Sequence, residues 1–371
     1  MTGHRIKTLI VDDSPVIRRA VTNVLEEEAD IEVVGIAVDG EDAIRKYLDL
    51  KPDVVTMDVI MPRMDGLSAL KILAREYKVP VIMLSGVTNE GANITFRALE
   101  MGAVDFIPKP KKGSMILNFK FLKQELTAKI RAAYDVNMDH YLTISPDIAD
   151  EKARGTGKNV RPVRKKPDGY TREELARLAE NKIVVIGAST GGPKALEFIL
   201  GKLSPTFPAG IIVAQHMPRF FTRFFAERLS RVTSLEVSEA RNGDVIETGK
   251  VLVTPGNHNV KIVKPFLAPQ VELEKVDEEE KSATPSIDTL FYSAAATFGE
   301  NTIGIILTGM GRDGSKGLKA IKMMGGHTIA QDESTSLVFG MPKSAIENGV
   351  VDSVLSINQI PAMLQNVTKK A

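Results

Sequence analysis

Cysteine is absent from the 371 residues. That excludes a disulfide framework, a thiolate-held zinc or iron–sulfur cluster, and a thiol nucleophile. Net charge is nearly absent too: Lys+Arg number 48 and Asp+Glu 47, so the formal charge is +1. A strongly basic nucleic-acid binder and an acidic solvated chain are both disfavoured. No run of about 18 apolar residues occurs, so no membrane insertion is expected. The opening MTGHRIKTLIVDDS has too short an apolar core for a signal peptide and runs straight into two aspartates. What is present is ordinary for a globular protein: 43% hydrophobic and 26% charged residues. At roughly 100–200 residues per domain, the length suggests two domains.

From Ile6 to about Arg131, short β-branched runs alternate with amphipathic helical patterns. IKTLIV, IEVVGIA, DVVTMD, PVIMLS and VDFIP read as five strands. Ser14 and Pro15 open a helix in which Ile17, Ala20, Val21, Val24 and Leu25 share a face. A last helical pattern spans about 118–133. Such alternation implies a parallel sheet covered on both faces, with ligands at the carboxyl ends of the strands. From about Met138 to Tyr170 the periodicity stops. The stretch 152–166 holds seven basic residues and no acid, and reads as a solvated linker.

From Thr171 a second alternating pattern begins. EELARLAE reads as a short helix, and KIVVIGA, GIIVAQH, TIGIILTG and HTIAQD as strands. Leu235 to Val276 looks β-rich, with hairpin-like strands, and DEEEK at 277–281 reads as an exposed turn. The expectation is a two-domain α/β protein. A flavodoxin-like five-stranded parallel sheet spans 1–135 and a basic linker with a short helix spans 136–180. A Rossmann-like, mostly parallel α/β domain with a β-hairpin insertion spans 181–371.

In the first domain, Asp12 and Asp13 follow the first strand and Asp58 ends the third, so the three meet at one sheet edge. Clustered carboxylates call for a hard divalent cation, and Mg²⁺ is the natural choice. Ser85 ends the fourth strand and Lys109 follows the fifth. A hydroxyl, an ammonium and a metal converging on one carboxylate are what a phosphoryl group there would need.

In the second domain, Gly187-Ala188-Ser189-Thr190-Gly191 is a G-x-S-x-G turn between strand and helix. The glycine spacing fits neither a dinucleotide fingerprint nor a P-loop. A serine nucleophile needs a base. His4 and His140 lie outside this domain, His258 sits in a turn, and His327 falls at the amino end of a strand. His216 ends GIIVAQH at the same edge as Ser189. Asp313, in LTGMGRDG, is the best-placed orienting carboxylate, with Asp332 and Glu333 as competitors. The order Ser, His, Asp differs from that of α/β-hydrolases.

The first ~125 residues, a span set by the element count, resemble the response-regulator receiver family. The matching motifs are VDDS (11–14), MDVIMPRMDG (57–66), LSG (84–86) and DFIPKP (105–110). The resemblance implies that a histidine kinase phosphorylates Asp58. It implies Mg²⁺ on Asp13, Asp58 and the Ile60 carbonyl, with Asp12 assisting through water. Ser85 and Lys109 would sense the phosphoryl group, and Phe106 takes the place of an aromatic switch.

From about Lys182 onward the sequence is similar to the catalytic domain of the CheB family of chemotaxis protein-glutamate methylesterase/deamidases. The matches are IGASTGG (186–192), AQHMP (214–218), FTRFFAERL (221–229), TPGNH (254–258), PSIDTLFYSAA (285–295), LTGMGRDG (307–314) and FGMPKSAI (339–346). Thr284 departs from the family, which often carries arginine before Pro-Ser. The resemblance implies Ser189 as nucleophile, His216 as base and Asp313 as its partner. It implies an oxyanion site from the backbone N–H groups of Thr190 and Met310, and no cofactor in this domain. The substrates would be glutamate methyl esters on chemoreceptors, with deamidation of glutamines as a second activity. The setting would be cytoplasmic, at receptor clusters, without nucleic acid. The rivals are a receptor-docking adaptor without activity and another serine esterase under receiver control. A transcription factor would need a basic helix-turn-helix after the linker instead of a long α/β pattern.

Overall fold

The computed structural model describes residues 4–86, 88–109, 115–144, 182–276 and 284–368. The chain falls into two compact units, divided between Thr156 and Gly157. The helical pattern at 173–180, the basic stretch at 152–166 and the acidic turn at 277–281 lie outside the described residues.

The first unit alternates β1 (Ile6–Val11), α1 (Pro15–Glu26), β2 (Ile31–Ala37), α2 (Gly40–Leu50), β3 (Val54–Asp58), α3 (Gly66–Arg75), β4 (Val81–Ser85), α4 (Asn89–Met101), β5 (Asp105–Pro108), α5 (Met115–Tyr134) and α6 (Met138–Ile144). All five strands expected from the sequence are present, paired in parallel in the order β2-β1-β3-β4-β5. The strands VVTMD and VIMLS are buried at every position, as a sheet covered on both faces requires. Side-chain caps start α2 and α3: Asp39 accepts from Asp42 N–H at 2.9 Å, and Asp65 from Ser68 N–H at 2.8 Å. Gly66 is obligatory at the start of α3, because a Cβ there would lie 1.9 Å from the Asp58 carbonyl oxygen.

Helix α6 corrects the reading that periodicity ends at Met138. It is too short to show a full helical repeat, yet it is anchored. Tyr141 is buried and its hydroxyl donates to the Ala103 carbonyl at 2.6 Å, while Asp139 pairs with Lys78. One aromatic with a satisfied hydroxyl suffices to dock a single turn or two of helix.

The second unit runs β6 (Ile183–Ala188), α7 (Gly192–Gly201), β7 (Gly210–Gln215), α8 (Arg219–Val232), β8 (Glu236–Glu239), β9 (Lys250–Val253), β10 (His258–Val263), β11 (Gln270–Lys275), α9 (Ile287–Phe298), β12 (Thr302–Ile306), α10 (Ser315–Met323), β13 (His327–Gln331), α11 (Met341–Glu347), β14 (Ser353–Leu355) and α12 (Ile360–Val367). Seven strands form one parallel sheet in the order β14-β13-β12-β6-β7-β9-β8. The β-rich stretch is therefore only partly a hairpin. β10 and β11 pair antiparallel, whereas β8 and β9 extend the main sheet. The patterns explain the split: the apolar VLV of β9 is buried at each position, while β10 alternates and so suits a sheet with one wet face. The order of strands reverses beside β6, where β7 lies on one side and β12 on the other. That switch point opens a crevice at the carboxyl ends of the strands.

Candidate functional site

In the first unit, three carboxylates meet where the sequence places them. Asp12 and Asp58 are buried and Asp13 is exposed, and one ligand oxygen from each lies within 4.8 Å of the others. The Lys109 ammonium bridges two of them, 2.7 Å from Asp12 Oδ2 and 2.6 Å from Asp58 Oδ2. Burial pushes the Asp58 carboxyl above its ordinary range; Lys109 opposes the rise and the Asp12 charge adds to it. One ammonium against three carboxylates leaves a surplus of negative charge on hard oxygen donors, which fits a divalent cation such as Mg²⁺. The Ile60 amide donates to Asp58 Oδ1 at 3.5 Å, so the residue expected to offer its carbonyl stands beside the cluster.

Ser85 is buried at the end of β4, its hydroxyl 2.5 Å from Thr95 Oγ1 and 3.3 Å from the Gly91 carbonyl. Phe106 is buried on β5, with the Lys129 ammonium 5.4 Å from its ring centre and 2.7 Å from its carbonyl oxygen. Thr95 and Lys129 were not singled out from sequence. Each sits mid-helix, where nothing in the pattern separates it from an ordinary surface residue.

In the second unit, adjacent strand ends supply Ser189, His216 and Asp313. Ser189 follows β6, and its amide donates to the Thr308 carbonyl at 3.0 Å. His216 follows β7, and its amide donates to the Ala188 carbonyl at 3.0 Å. Asp313 lies in the loop between β12 and α10, with Oδ2 2.9 Å from His216 Nε2. Asp313 Oδ2 also accepts from Ile287 N–H at 2.8 Å, and Oδ1 from Asp288 N–H at 3.0 Å and Gly314 N–H at 2.9 Å. Burial pushes this carboxyl up, but His216 and the backbone donors outweigh it and hold it below the ordinary carboxylate range. The ionised Asp313 thus fixes the imidazole by Nε2 and leaves Nδ1 on the opposite side of the ring.

The competitors go elsewhere. Asp332 Oδ1 accepts from Thr335 N–H at 3.0 Å and so closes its own turn. His258 pairs with Asn257 Oδ1 at 2.8 Å, and His327 opens β13 at the opposite sheet edge, 3.3 Å from Ser353 Oγ.

Thr190 is buried immediately after Ser189, and its carbonyl accepts from Thr308 Oγ1 at 3.0 Å. Met310 follows Gly309, which is held against Ser189: a Cβ on Gly309 would lie 2.7 Å from Ser189 Cβ. Gly309 N–H donates to the Val338 carbonyl at 3.0 Å and its carbonyl accepts from Met341 N–H at 2.8 Å, so the segment carrying Met310 is pinned from both sides.

Two glutamines escaped the sequence reading. Gln215 Nε2 donates to the carbonyls of Ser189 at 2.9 Å and His216 at 3.0 Å, tying the two strand ends together. Gln331 Oε1 accepts from Thr308 N–H at 2.9 Å. Both are buried polar residues at the ends of otherwise apolar strands, and that was the available signal.

The CheB methylesterase family matches residues 184–364, and the response regulator receiver domain family matches residues 8–119. The protein-glutamate methylesterase/protein-glutamine glutaminase of Pyrococcus abyssi is 42% identical over 97% of this chain and 93% of its own length. The protein of the same name from Thermotoga maritima is 40% identical over 98% of this chain and 99% of its own. The crystal structure of the Thermotoga maritima CheB methylesterase catalytic domain is 42% identical, covering 50% of this chain and 98% of that one with a TM-score of 0.49. The chain belongs to the family of CheB protein-glutamate methylesterase/protein-glutamine glutaminases, with a response-regulator receiver domain ahead of its methylesterase domain.

Proposed function

We propose that this chain hydrolyses glutamate γ-methyl esters on methyl-accepting chemoreceptors. The single observation that carries the proposal is the Asp313 carboxylate, held by three backbone N–H groups and gripping His216 beside Ser189. Because Asp313 takes Nε2, Nδ1 is the nitrogen that removes the proton from Ser189 Oγ. The oxygen attacks the γ-carbonyl carbon, and the backbone N–H groups of Thr190 and Met310 receive the oxyanion. His216 passes the proton to the departing methoxide, which leaves as methanol. Water then attacks the acyl-enzyme, His216 takes its proton, and the glutamate carboxylate leaves as Ser189 regains its hydrogen. A glutamine side chain enters the same cycle and loses ammonia.

Domain limits follow the same reading: a receiver over 1–135 with α6 packed on it, a basic linker to 180, and a catalytic domain over 181–371. A histidine kinase donates the phosphoryl group to Asp58, and this raises the esterase rate. Asp13, Asp58 and the Ile60 carbonyl would hold Mg²⁺, with Asp12 assisting through water, and the ion would supply positive charge to offset that of the phosphoryl group. Lys109 pairs with the phosphoryl oxygens in place of the Asp58 carboxylate, and Ser85 and Phe106 answer that change. The protein works in the cytoplasm, at clusters of its receptors. Among the described residues no helix is long and apolar enough to cross a membrane.

The test is methanol release from methylated receptor membranes, with and without a small phosphodonor and Mg²⁺. Release that rises with phosphodonor and vanishes in Ser189→Ala supports the proposal. No release above that variant, with Asp58 phosphorylated, removes the esterase reading and leaves a docking adaptor.

A further inference from the structure

The geometry points to Asp288 as a positioning residue for the candidate triad: its carboxylate locks the helix that holds Asp313 to the helix that Asp313 precedes. The inference rests on the esterase reading of Ser189, His216 and Asp313.

Two helix amino-termini meet behind Asp313. α9 presents the amides of Ile287 and Asp288 to the Asp313 carboxylate at 2.8 and 3.0 Å. α10 begins two residues after Asp313. Its third residue, Gly317, donates its N–H to Asp288 Oδ1 at 2.7 Å. The exchange is reciprocal. The carboxylate leading into α10 satisfies the unpaired amides of α9, and a carboxylate of α9 satisfies an amide of α10. Two positive helix ends brought together repel, and two crossed carboxylates offset that repulsion.

Contact between the helices is as close as backbone permits. A Cβ on Gly317 would lie 2.4 Å from Phe291 Cβ and 3.1 Å from the Asp288 carbonyl oxygen. Asp288 is half-buried. Burial pushes its carboxyl above the ordinary range, the Gly317 amide opposes this and the Asp313 charge adds to it. Its main chain fixes the direction of the Asp313 carboxylate, and its side chain fixes the main chain. Releasing the Gly317 contact frees α9 to shift against α10, which moves the two amides that aim Asp313 Oδ2 at His216.

The test compares Asp288→Ala with Asp288→Asn in the full chain. The asparagine keeps an oxygen for Gly317 N–H. Asp288→Ala is expected to lower kcat by about tenfold or more with KM within about twofold, since a misaimed catalytic group costs rate rather than binding. Asp288→Asn restores kcat to within about threefold of wild type. Imidazole ¹⁵N shifts of His216 give a readout free of turnover. Wild type shows the single Nε2–H tautomer, Asp288→Ala a mixture, and Asp288→Asn the single form again. Asp288→Ser, which suits a first helical turn but falls short of Gly317, carries the same expectation if the alanine protein does not fold. A folded alanine or serine variant with wild-type kcat and a single tautomer overturns the inference. So does an asparagine variant as impaired as the alanine one. If wild type releases no methanol while the tautomers behave as stated, the positioning role stands and the esterase reading falls.

Discussion

Replacing Asp313 by asparagine changes one oxygen into an amino group, and the surrounding donors decide which one. Oδ1 accepts from two backbone amides, Asp288 at 3.0 Å and Gly314 at 2.9 Å. Oδ2 accepts from one, Ile287 at 2.8 Å, and faces His216 Nε2 at 2.9 Å. Placing the amino group on the Oδ1 side leaves two buried amides without an acceptor. Placing it on the Oδ2 side leaves one. Each orphaned donor costs about 1–3 kcal/mol, so the second arrangement wins by about that much. The asparagine NH₂ then donates to His216 Nε2 and drives the ring proton to Nδ1, the nitrogen that accepts the Ser189 proton in the proposed mechanism. A wrong tautomer in a serine triad costs on the order of 10⁴ in kcat. Asp313→Asn should therefore show kcat for methanol release lower by about that factor, with KM nearly unchanged, and lose about 1–3 kcal/mol of stability. A variant retaining kcat within about tenfold of wild type refutes the assigned roles of Nε2 and Nδ1.

Other expectations follow from single contacts. Gly192→Ala places a Cβ 2.0 Å from Gln215 Oε1 and 2.8 Å from Ala188 Cβ, so it should cost about 1–3 kcal/mol in thermal unfolding and lower kcat as Gln215 releases the Ser189 and His216 carbonyls. Burial makes Asp58 hold its proton more tightly in the fold than in the unfolded chain, so the receiver should lose stability as pH rises from the ordinary carboxylate range through the raised pKa. Hydrogen exchange of β3 and β4 amides, corrected for intrinsic rates, reads this, and a rise in protection with pH would contradict it. Mg²⁺ at about 100 times its Kd should restore about 2.7 kcal/mol to those amides, and Asp13→Asn should weaken the Mg²⁺ response. Tyr141→Phe should cost about 1 kcal/mol in the unfolding transition of the first unit by removing the bond to the Ala103 carbonyl, with methanol release unchanged.

The alternation of IKTLIV, VVTMD and GIIVAQ with amphipathic runs made both sheets legible, because fully buried parallel strands write themselves as apolar blocks. β14 was not legible: SVL is three residues long, too short to register a period. The division of the β-rich stretch between main sheet and hairpin depended on which strand found a partner across the sheet, which local pattern does not encode. Ser189, His216 and Asp313 were legible because each stands at a strand's carboxyl end beside glycine or a polar turn. Gln215, Gln331 and the paired helix starts at Ile287 and Ser315 were not, since their part is to hold other residues across 20 or more positions of sequence, and only the folded chain brings them there.

The central claim is that Ser189 forms an acyl intermediate with the ester carbonyl. Rapid acid quenching of the protein turning over a methyl-esterified receptor substrate, followed by mass analysis of its peptides, reads this directly. The account predicts a γ-glutamyl adduct on the peptide containing Ser189, appearing with the first methanol released and absent from Ser189→Ala. Methanol release that proceeds with no adduct on Ser189, or with the adduct on another residue, would contradict it.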